Sequence, residues 1–243
     1  MIKLENFEVV GWEHAIRGMR NPMNSWTKSD SLNCFEQPGC DDCPLHMVEE
    51  PGGCYGKDTV PFVIGPNDHS LMMRLTEGGP VHAKYRRMIT VYVDITAPLY
   101  WWKEFDTYKV GTVVNSCSTM HKIHEKEFTL EDFSCEHLFY APESEFMDSK
   151  DVLIEVIKIL NLYRGHFVRK PHRKDYWWQM IQLLPSSYNQ KRTVMLNYEV
   201  LANIYTWRKN HKLDEWRTFC NWIEELPYSE IIIGDLEGEE NEA

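Results

Sequence analysis

Residues 88–122 read MITVYVDITAPLYWWKEFDTYKVGTVVNSCSTMHK. The first part, Met88–Thr96, is apolar and β-branched and alternates in ITVYVDI, which predicts a half-buried strand. Pro98 suits the first turn of a helix and Gly111 suits its end, so a helix is expected between them. A loop of small polar side chains follows. A buried strand that leads into so many polar groups indicates a binding site at its end.

The predicted helix has two different faces. Trp101 and Phe105 fall on an apolar face, while Lys103 and Asp106 fall on a polar face, where they could pair. An amphipathic helix with a solvated side explains this segment on its own. The loop beyond Gly111 is more specific, because its short uncharged donors and acceptors suit a phosphate or a heterocycle. These side chains are Thr112, Asn115, Ser116, Ser118 and Thr119.

The rest of the chain predicts an α+β fold class with few strands and several long helices. The segment FEVVGW reads as a strand that leads into a short helix, and Asn67 or Asp68 is expected to cap another. A helix capped by Asp148 or Ser149 would bury an apolar face. That face would comprise Val152, Val156, Ile159 and Tyr163. Further helices are expected over KDYWWQMIQLL and from about Tyr198 to Pro227.

Composition excludes several classes of protein. The chain has 243 residues, 43% of them hydrophobic, and its net charge of −11 makes it a poor partner for duplex DNA. No apolar run approaches the ~20 residues that a membrane helix needs. The N-terminus lacks the basic and apolar regions of a signal peptide, which predicts a soluble cytoplasmic protein. The acidic end, residues 235–243, is expected to be a disordered tail.

Four of the seven cysteines are clustered in a polar loop, an insertion predicted over residues 33–56. Their spacing is Cys-x5-Cys-x2-Cys-x10-Cys, and two thiolates separated by two residues form the usual half of a tetrahedral zinc site. These candidate ligands are Cys34, Cys40, Cys43 and Cys54. We expect structural zinc. An iron–sulfur cluster and a loop of reduced, unligated thiols are the alternatives.

A second polar segment, LLPSSYNQKRTVMLNYEVLANIYTWRKN, covers residues 183–210. If its helix is continuous, Asn197 and Arg208 project from nearly the same face, with Asn203 between them. Asparagine within a helix costs about half a kcal/mol relative to alanine, so two of them suggest a function. The alternative is that both asparagines simply face water.

Together, the two segments resemble the flavin-dependent thymidylate synthase family over residues 71–227. A strand ending in Ala97-Pro98 precedes the first motif, and Leu184-Pro185 precedes the second. At the family's spacing, the second motif then contains Asn197, Leu201, Asn203 and Arg208. Two departures are clear: residues 107–109 read Thr-Tyr-Lys where the family has Arg-His-Arg, and Glu199 stands where it has arginine.

The resemblance implies a single domain over residues 1–234, with a small central antiparallel sheet and several long helices. It implies FAD as cofactor, methylenetetrahydrofolate as a possible carbon donor, a uracil deoxynucleotide as substrate, and a homotetramer. The residues that would contact flavin are Lys109, Asn197, Asn203 and His82. Those that would bind the nucleotide are Thr112, Asn115, Ser116 and Arg208. Arg208 and Ser118 would be the catalytic residues. Arginines and hydroxyls suit phosphates, and flavin itself carries the hydride chemistry.

Two other functions are open at this point. A non-catalytic descendant of the fold could use the nucleotide pocket to sense or sequester a nucleotide, as the missing arginines and Glu199 would allow. Alternatively, the chain could be an interaction protein whose cysteine-rich loop is held together by a metal and whose polar face binds another protein. Only the cysteine cluster and the acidic surface suggest this function.

Overall fold

A computed structural model describes residues 2–33, 62–139 and 148–234. Residues 34–56 of the predicted cysteine-rich insertion and the predicted tail over 235–243 lie outside these ranges. The strands are β1 (Lys3–Val10), β2 (Leu32–Asn33), β3 (Phe62–Val63), β4 (Thr90–Pro98), β5 (Val113–Ser116) and β6 (Asn189–Asn197). The helices are α1 (Trp12–Arg20), α2 (Pro66–Glu77), α3 (Leu99–Phe105), α4 (Thr119–Lys122), α5 (Ser149–Arg169), α6 (Lys174–Leu183), α7 (Tyr198–Arg208), α8 (Asp214–Glu224) and α9 (Glu230–Ile233).

The main sheet has four strands in the order β1-β4-β6-β5, and β2 pairs with β3 antiparallel. The expected mixture of helices and a small sheet is therefore confirmed. Within the described ranges, no helix is both long and apolar enough to cross a membrane.

The chain divides into two compact units, and three of the five divisions fall inside β1, β4 and β6. The first unit consists of Met1–Asn6, Val93–Lys109 and Val113–Val194. The second consists of Phe7–Tyr92, Val110–Thr112 and Met195–Ala243. The single domain over residues 1–234 stays a prediction.

The core of the first unit is formed where α5 and α6 pack together. Its buried members are Ile123, Phe128, Phe133, Leu153, Leu160 and Met180. The predicted cap of α5 is confirmed, because the Asp148 carboxylate accepts hydrogen bonds from two backbone N–H groups of the first turn. The predicted buried face is wrong at Val152 and Ile159, which are 48% and 40% exposed. Apolar residues cover more of α5 than the core can bury, so periodicity alone could not fix the face.

Four strands, β2, β3, β5 and β6, were not predicted, and the first polar helix is shorter than expected. Strand β5 lies in the segment interpreted as a polar loop, and β6 lies between two predicted helices, where no strand was assigned. Helix α3 ends at Phe105, so Tyr108 and Lys109 are not helical. Asp106, expected to pair with Lys103, instead accepts a hydrogen bond from the guanidinium of Arg192 at 2.8 Å.

The core of the second unit is built from α1, α7 and α8. The ring of Trp12 meets that of Tyr198 edge-on at 5.3 Å, and the Tyr198 hydroxyl donates to the Pro227 carbonyl at 2.6 Å. The single helix expected from Tyr198 to Pro227 is divided into α7 and α8 by residues 209–213. Helix α2 is not capped by Asn67 or Asp68. Their backbone N–H groups donate to the side chain of Asp30 instead.

Candidate functional site

The second unit contains a cavity of about 690 Å³. This volume falls within the ~300–1,000 Å³ that small-molecule and cofactor sites usually have. Its lining comes from the end of α2, the turn before β4, the Val110–Gly111 segment, α7 and α9. The lining residues are Thr76, Pro80, Arg86, Arg87, Val110, Gly111, Asn197, Glu199, Val200, Ala202, Asn203, Thr206, Trp207, Ile232, Ile233 and Gly234.

Asn197 lies where β6 ends and α7 begins. Its side-chain oxygen accepts a hydrogen bond from the backbone N–H of Val200 at 3.0 Å, so it is the N-cap of α7. A cap has an extended backbone and lies outside the helical face. The expectation that Asn197 and Arg208 share one face of a continuous helix is therefore wrong.

Gly111 allows the backbone to approach this cap closely. A Cβ atom at Gly111 would lie 2.9 Å from the Nδ2 atom of Asn197, and the residue has φ of +79°. Both observations favour glycine, because other residues adopt this conformation at a cost and would displace the cap. The next residue, Thr112, has a buried hydroxyl with no hydrogen-bond partner in the part of the chain that the structure describes.

Arg86 and Glu199 form an incompletely bonded pair in the cavity wall. Arg86 is 7% exposed, and its Nη1 atom lies 3.7 Å from Oε2 of Glu199. Among the described residues, neither Arg86 Nε nor Glu199 Oε2 has a hydrogen-bond partner. Buried charged groups are normally fully hydrogen-bonded, because desolvation without a partner is costly. The pair therefore leaves a donor and an acceptor that a ligand could satisfy.

Tyr85 supports the lining residue Thr76. Its hydroxyl lies 2.8 Å from Oγ1 of Thr76 and donates to the Met72 carbonyl at 3.1 Å. Burial raises the pKa of Tyr85, although the hydrogen bond to Thr76 and the charge of Arg86 act in the opposite direction. The phenol therefore stays neutral at physiological pH and acts as a hydrogen-bonding group that holds Thr76 in position.

The predicted site residues of the second unit are only partly collected at this cavity. Asn197 and Asn203 line it, whereas Arg208, Thr112 and His82 are not among the lining residues. The Arg208 guanidinium lies over the Trp216 ring at 4.9 Å. His82 is exposed in the turn after α2.

The other predicted site residues belong to the first unit. Asn115 and Ser116 are exposed on β5, and Lys109 is exposed after α3. Ser118 caps α4 by accepting a hydrogen bond from His121 N at 3.0 Å. Ser118 also lines a separate cavity of about 630 Å³ within this unit. The structure therefore assigns the predicted residues to two units.

The predicted metal ligands Cys34, Cys40, Cys43 and Cys54 lie outside the described residues. Within the residues that are described, no group of three or more His, Cys, Asp or Glu side chains could hold a metal ion. The zinc site stays a prediction.

Trp207 is a lining residue for which no role was predicted, although the sequence contains a signal for it. Glu199, Asn203 and Trp207 recur at intervals of four, which places them on one face of α7. That spacing could have identified Trp207. The pairing of Arg86 with Glu199 has no comparable signal, because the two residues are distant in sequence.

Comparison with known proteins supports the fold. No protein-family model matches the sequence, and no curated protein matches it. A crystal structure of thymidylate synthase X (ThyX) from Helicobacter pylori with FAD and dUMP has a TM-score of 0.58 and 16% identity, covering 95% of this chain and 96% of that one. A second structure of the flavin-dependent enzyme from that organism, also complexed with FAD and dUMP, has a TM-score of 0.56 and 16% identity, with 95% coverage of both chains.

The likeness extends along nearly the whole chain. It shows that this protein has the fold of the flavin-dependent thymidylate synthases. The sequence resemblance predicted this fold from residues 71–227, and the structural neighbours confirm it beyond that range.

Proposed function

We propose that the protein binds FAD and modifies a uracil deoxynucleotide, by reductive methylation or a related one-carbon transfer. Methylenetetrahydrofolate is the proposed carbon donor, and a homotetramer is the proposed assembly. The observation that carries this proposal is the cavity beside the β6–α7 junction. It is lined by Asn197 and Asn203, two of the four positions that the family resemblance assigns to flavin, in a chain with the fold of ThyX.

The residues present fit a flavin nucleotide in size and in most of their chemistry. The lining of the cavity of about 690 Å³ includes the apolar residues Val110, Ile232 and Ile233. Arg86 supplies a buried donor that no described residue satisfies, and Arg87 adds a second cation. Arginines bind phosphate oxygens through paired N–H groups. Glu199 opposes an anion at its own position, so phosphates would bind nearer Arg87.

When bound, the flavin would supply the hydride chemistry. The chain's own residues would bind the flavin and the nucleotide and orient them. Asn203 would hydrogen-bond the ring edge, and the apolar lining residues would contact the ring. Arg86 would neutralise Glu199 within the wall. Thr112, Asn115, Ser116 and Arg208 are proposed to hold the nucleotide, with Arg208 and Ser118 beside its reacting base, and Lys109 and His82 as further flavin contacts.

The test is a titration of the purified protein with FAD, followed by dUMP, monitored by the absorbance of the flavin. We expect a perturbed flavin spectrum that changes again when dUMP is added. We also expect dTMP to form when methylenetetrahydrofolate and a reductant are supplied. Asn203→Ala should weaken flavin binding, whereas Asn161→Ala, which changes an asparagine of the first unit, should not. A protein that leaves the FAD spectrum unchanged at every concentration would refute the proposal.

A second candidate, a non-catalytic nucleotide-binding protein, is favoured by one observation. Glu199 places a negative charge in the cavity, and residues 107–109 lack the arginines of the family motif. This candidate predicts that dUMP binds with the same affinity in the absence and presence of FAD. Formation of dTMP would eliminate it.

A further inference from the structure

Helix α7 presents three unlike side chains to the cavity in one row. Glu199, Asn203 and Trp207 are each four residues apart, and all three line the cavity. A rise of 1.5 Å per residue makes the row about 12 Å long. From the N-terminal end it offers a carboxylate, an amide and an indole.

Trp207 is unusually accessible for its position. Its side chain is 73% exposed although it lines a cavity, while Trp101, Trp102 and Trp216 are fully buried. An exposed indole provides a flat surface on which a planar ring can stack, and such stacking contributes strongly to the binding of heterocycles. The chain thus provides an aromatic surface that packing within the unit does not use.

The opposite end of the row has a different chemistry. The Glu199 carboxylate repels a phosphate and accepts hydrogen bonds from hydroxyl groups. An independent observation marks this end as a ligand site: Arg86 is more than nine-tenths buried, it lines the cavity, and its Nε has no hydrogen-bond partner within the described ranges. A ligand with both hydroxyl donors and acceptor oxygens would satisfy this pair.

We propose that the α7 row selects a planar heterocycle that carries a hydroxylated chain or sugar. The ring stacks on Trp207, its polar edge meets Asn203, and its hydroxyl groups donate to Glu199. This inference rests on the proposed function, because a flavin joins a planar ring to a polyhydroxyl chain, but it adds two specificity-determining residues and a direction. It places the hydroxyl groups, and not the phosphates, beside Glu199.

The experiment compares two pairs of ligands by equilibrium titration. Riboflavin and adenosine each carry a hydroxylated group, while lumiflavin and 9-methyladenine have the same rings without it. For each ligand pair that binds the protein, Trp207→Ala should weaken the binding of both members by about tenfold or more. This corresponds to about 1.4 kcal/mol of binding free energy. Glu199→Gln should weaken only the hydroxylated member, also by about tenfold. Trp178→Ala is the matched control, because Trp178 is an exposed indole of α6 in the first unit.

Fluorescence provides a second readout. Stacking of flavin on an indole quenches the emission of the flavin, and Trp207→Ala should remove this quenching while Trp178→Ala preserves it.

Equal effects of Glu199→Gln on riboflavin and lumiflavin would overturn the inference and leave the proposed function standing. If only adenosine and 9-methyladenine bind, and Trp207→Ala and Glu199→Gln have the expected effects on them, the inference is supported and the flavin proposal is refuted. Binding of neither pair would overturn both.

Discussion

Two of the arginine–carboxylate pairs in the second unit, Arg20–Asp68 and Arg86–Glu199, have very different surroundings. Arg20 and Asp68 are 4% and 0% exposed, and Arg20 Nε donates to Asp68 Oδ1 at 2.5 Å. Arg86 and Glu199 lie 3.7 Å apart in a cavity wall. The residue types are similar and both arginines are buried, so neither composition nor burial of the arginine distinguishes the pairs.

Hydrogen bonding distinguishes them. The Oδ2 atom of Asp68 accepts from the hydroxyls of Ser29 and Ser31 at 2.7 Å and from the backbone N–H groups of Asp30 and Ser31 at 3.1 Å. The Arg86–Glu199 pair keeps an unsatisfied atom on each side among the described residues. A saturated pair has no capacity left for a ligand, whereas an unsaturated pair in a cavity does. We therefore interpret the first as structural and the second as functional.

The largest effect is expected at the saturated pair. Asp68→Ala leaves the buried Arg20 without its anion, and breaking a buried pair from one side typically costs about 3–5 kcal/mol of unfolding free energy. Urea unfolding followed by circular dichroism measures this loss. The control is Asp175→Ala, which removes the exposed partner of Arg173 and should leave the midpoint unchanged. A loss below about 1 kcal/mol at Asp68 would show that its network is not structural.

The next largest effect is expected from acid, which should weaken the same Arg20–Asp68 pair. Burial raises the pKa of Asp68, but hydrogen bonds from Ser31, Ser29 and Arg20 outweigh burial and hold it below the usual 3.8. Because the folded pKa is depressed, the stabilisation is present above pH 3.8 and is lost as pH falls through the folded pKa. Thermal unfolding between pH 6 and 2 should therefore show a steeper acid decline for the wild type than for Asp68→Asn. Parallel curves would contradict this assignment.

A smaller effect is expected at the cap beside the unsaturated pair. Asn197→Ala removes the acceptor for Val200 N–H and should cost about 1 kcal/mol of unfolding free energy. Asn197→Asp preserves an acceptor and should lose much less. Urea midpoints of the two variants measure the difference. Equal losses would mean that the side chain at this position stabilises the fold by some means other than capping.

The smallest effect on stability is expected at Glu199 itself. Its side chain is 19% exposed, and one carboxylate oxygen is unsatisfied within the described part of the chain. Glu199→Gln should therefore change the unfolding free energy by no more than about 0.5 kcal/mol, even if it alters ligand affinity. Urea unfolding without ligand tests this. A loss comparable to that of Asp68→Ala would erase the distinction between the two pairs.

Some parts of the fold could be predicted from sequence, and β6 shows why others could not. The cap of α5 and the strand β4 have local signals, a carboxylate at a helix start and alternating β-branched residues. In β6, polar side chains occupy positions where an apolar pattern was needed. Gln190 is buried and donates to the Cys117 carbonyl at 2.7 Å, and the Arg192 guanidinium lies over the Trp102 ring at 4.1 Å. Tertiary partners satisfy these groups, and the sequence does not display those partners.

The candidate site was predictable to a similar extent. Asn197 and Asn203 were assigned to the site by the family resemblance, and both line the cavity. The pairing of Arg86 with Glu199 depends on a turn before β4 packing against α7, and no local pattern reports that contact. Residues drawn from one helix could be grouped in advance, whereas a pair formed between distant segments could not.

The cap on α7 also restricts which chemical groups can approach it. Because the Asn197 side-chain oxygen already accepts a hydrogen bond from Val200 N–H, the two N–H donors of its amide are the larger part of what it can offer the cavity. Gly111, having no Cβ, leaves the amide nitrogen uncovered. A carbonyl or an unprotonated ring nitrogen would be favoured there over a protonated one. Two tautomers of one heterocycle could therefore be distinguished by a residue whose first role is to begin a helix.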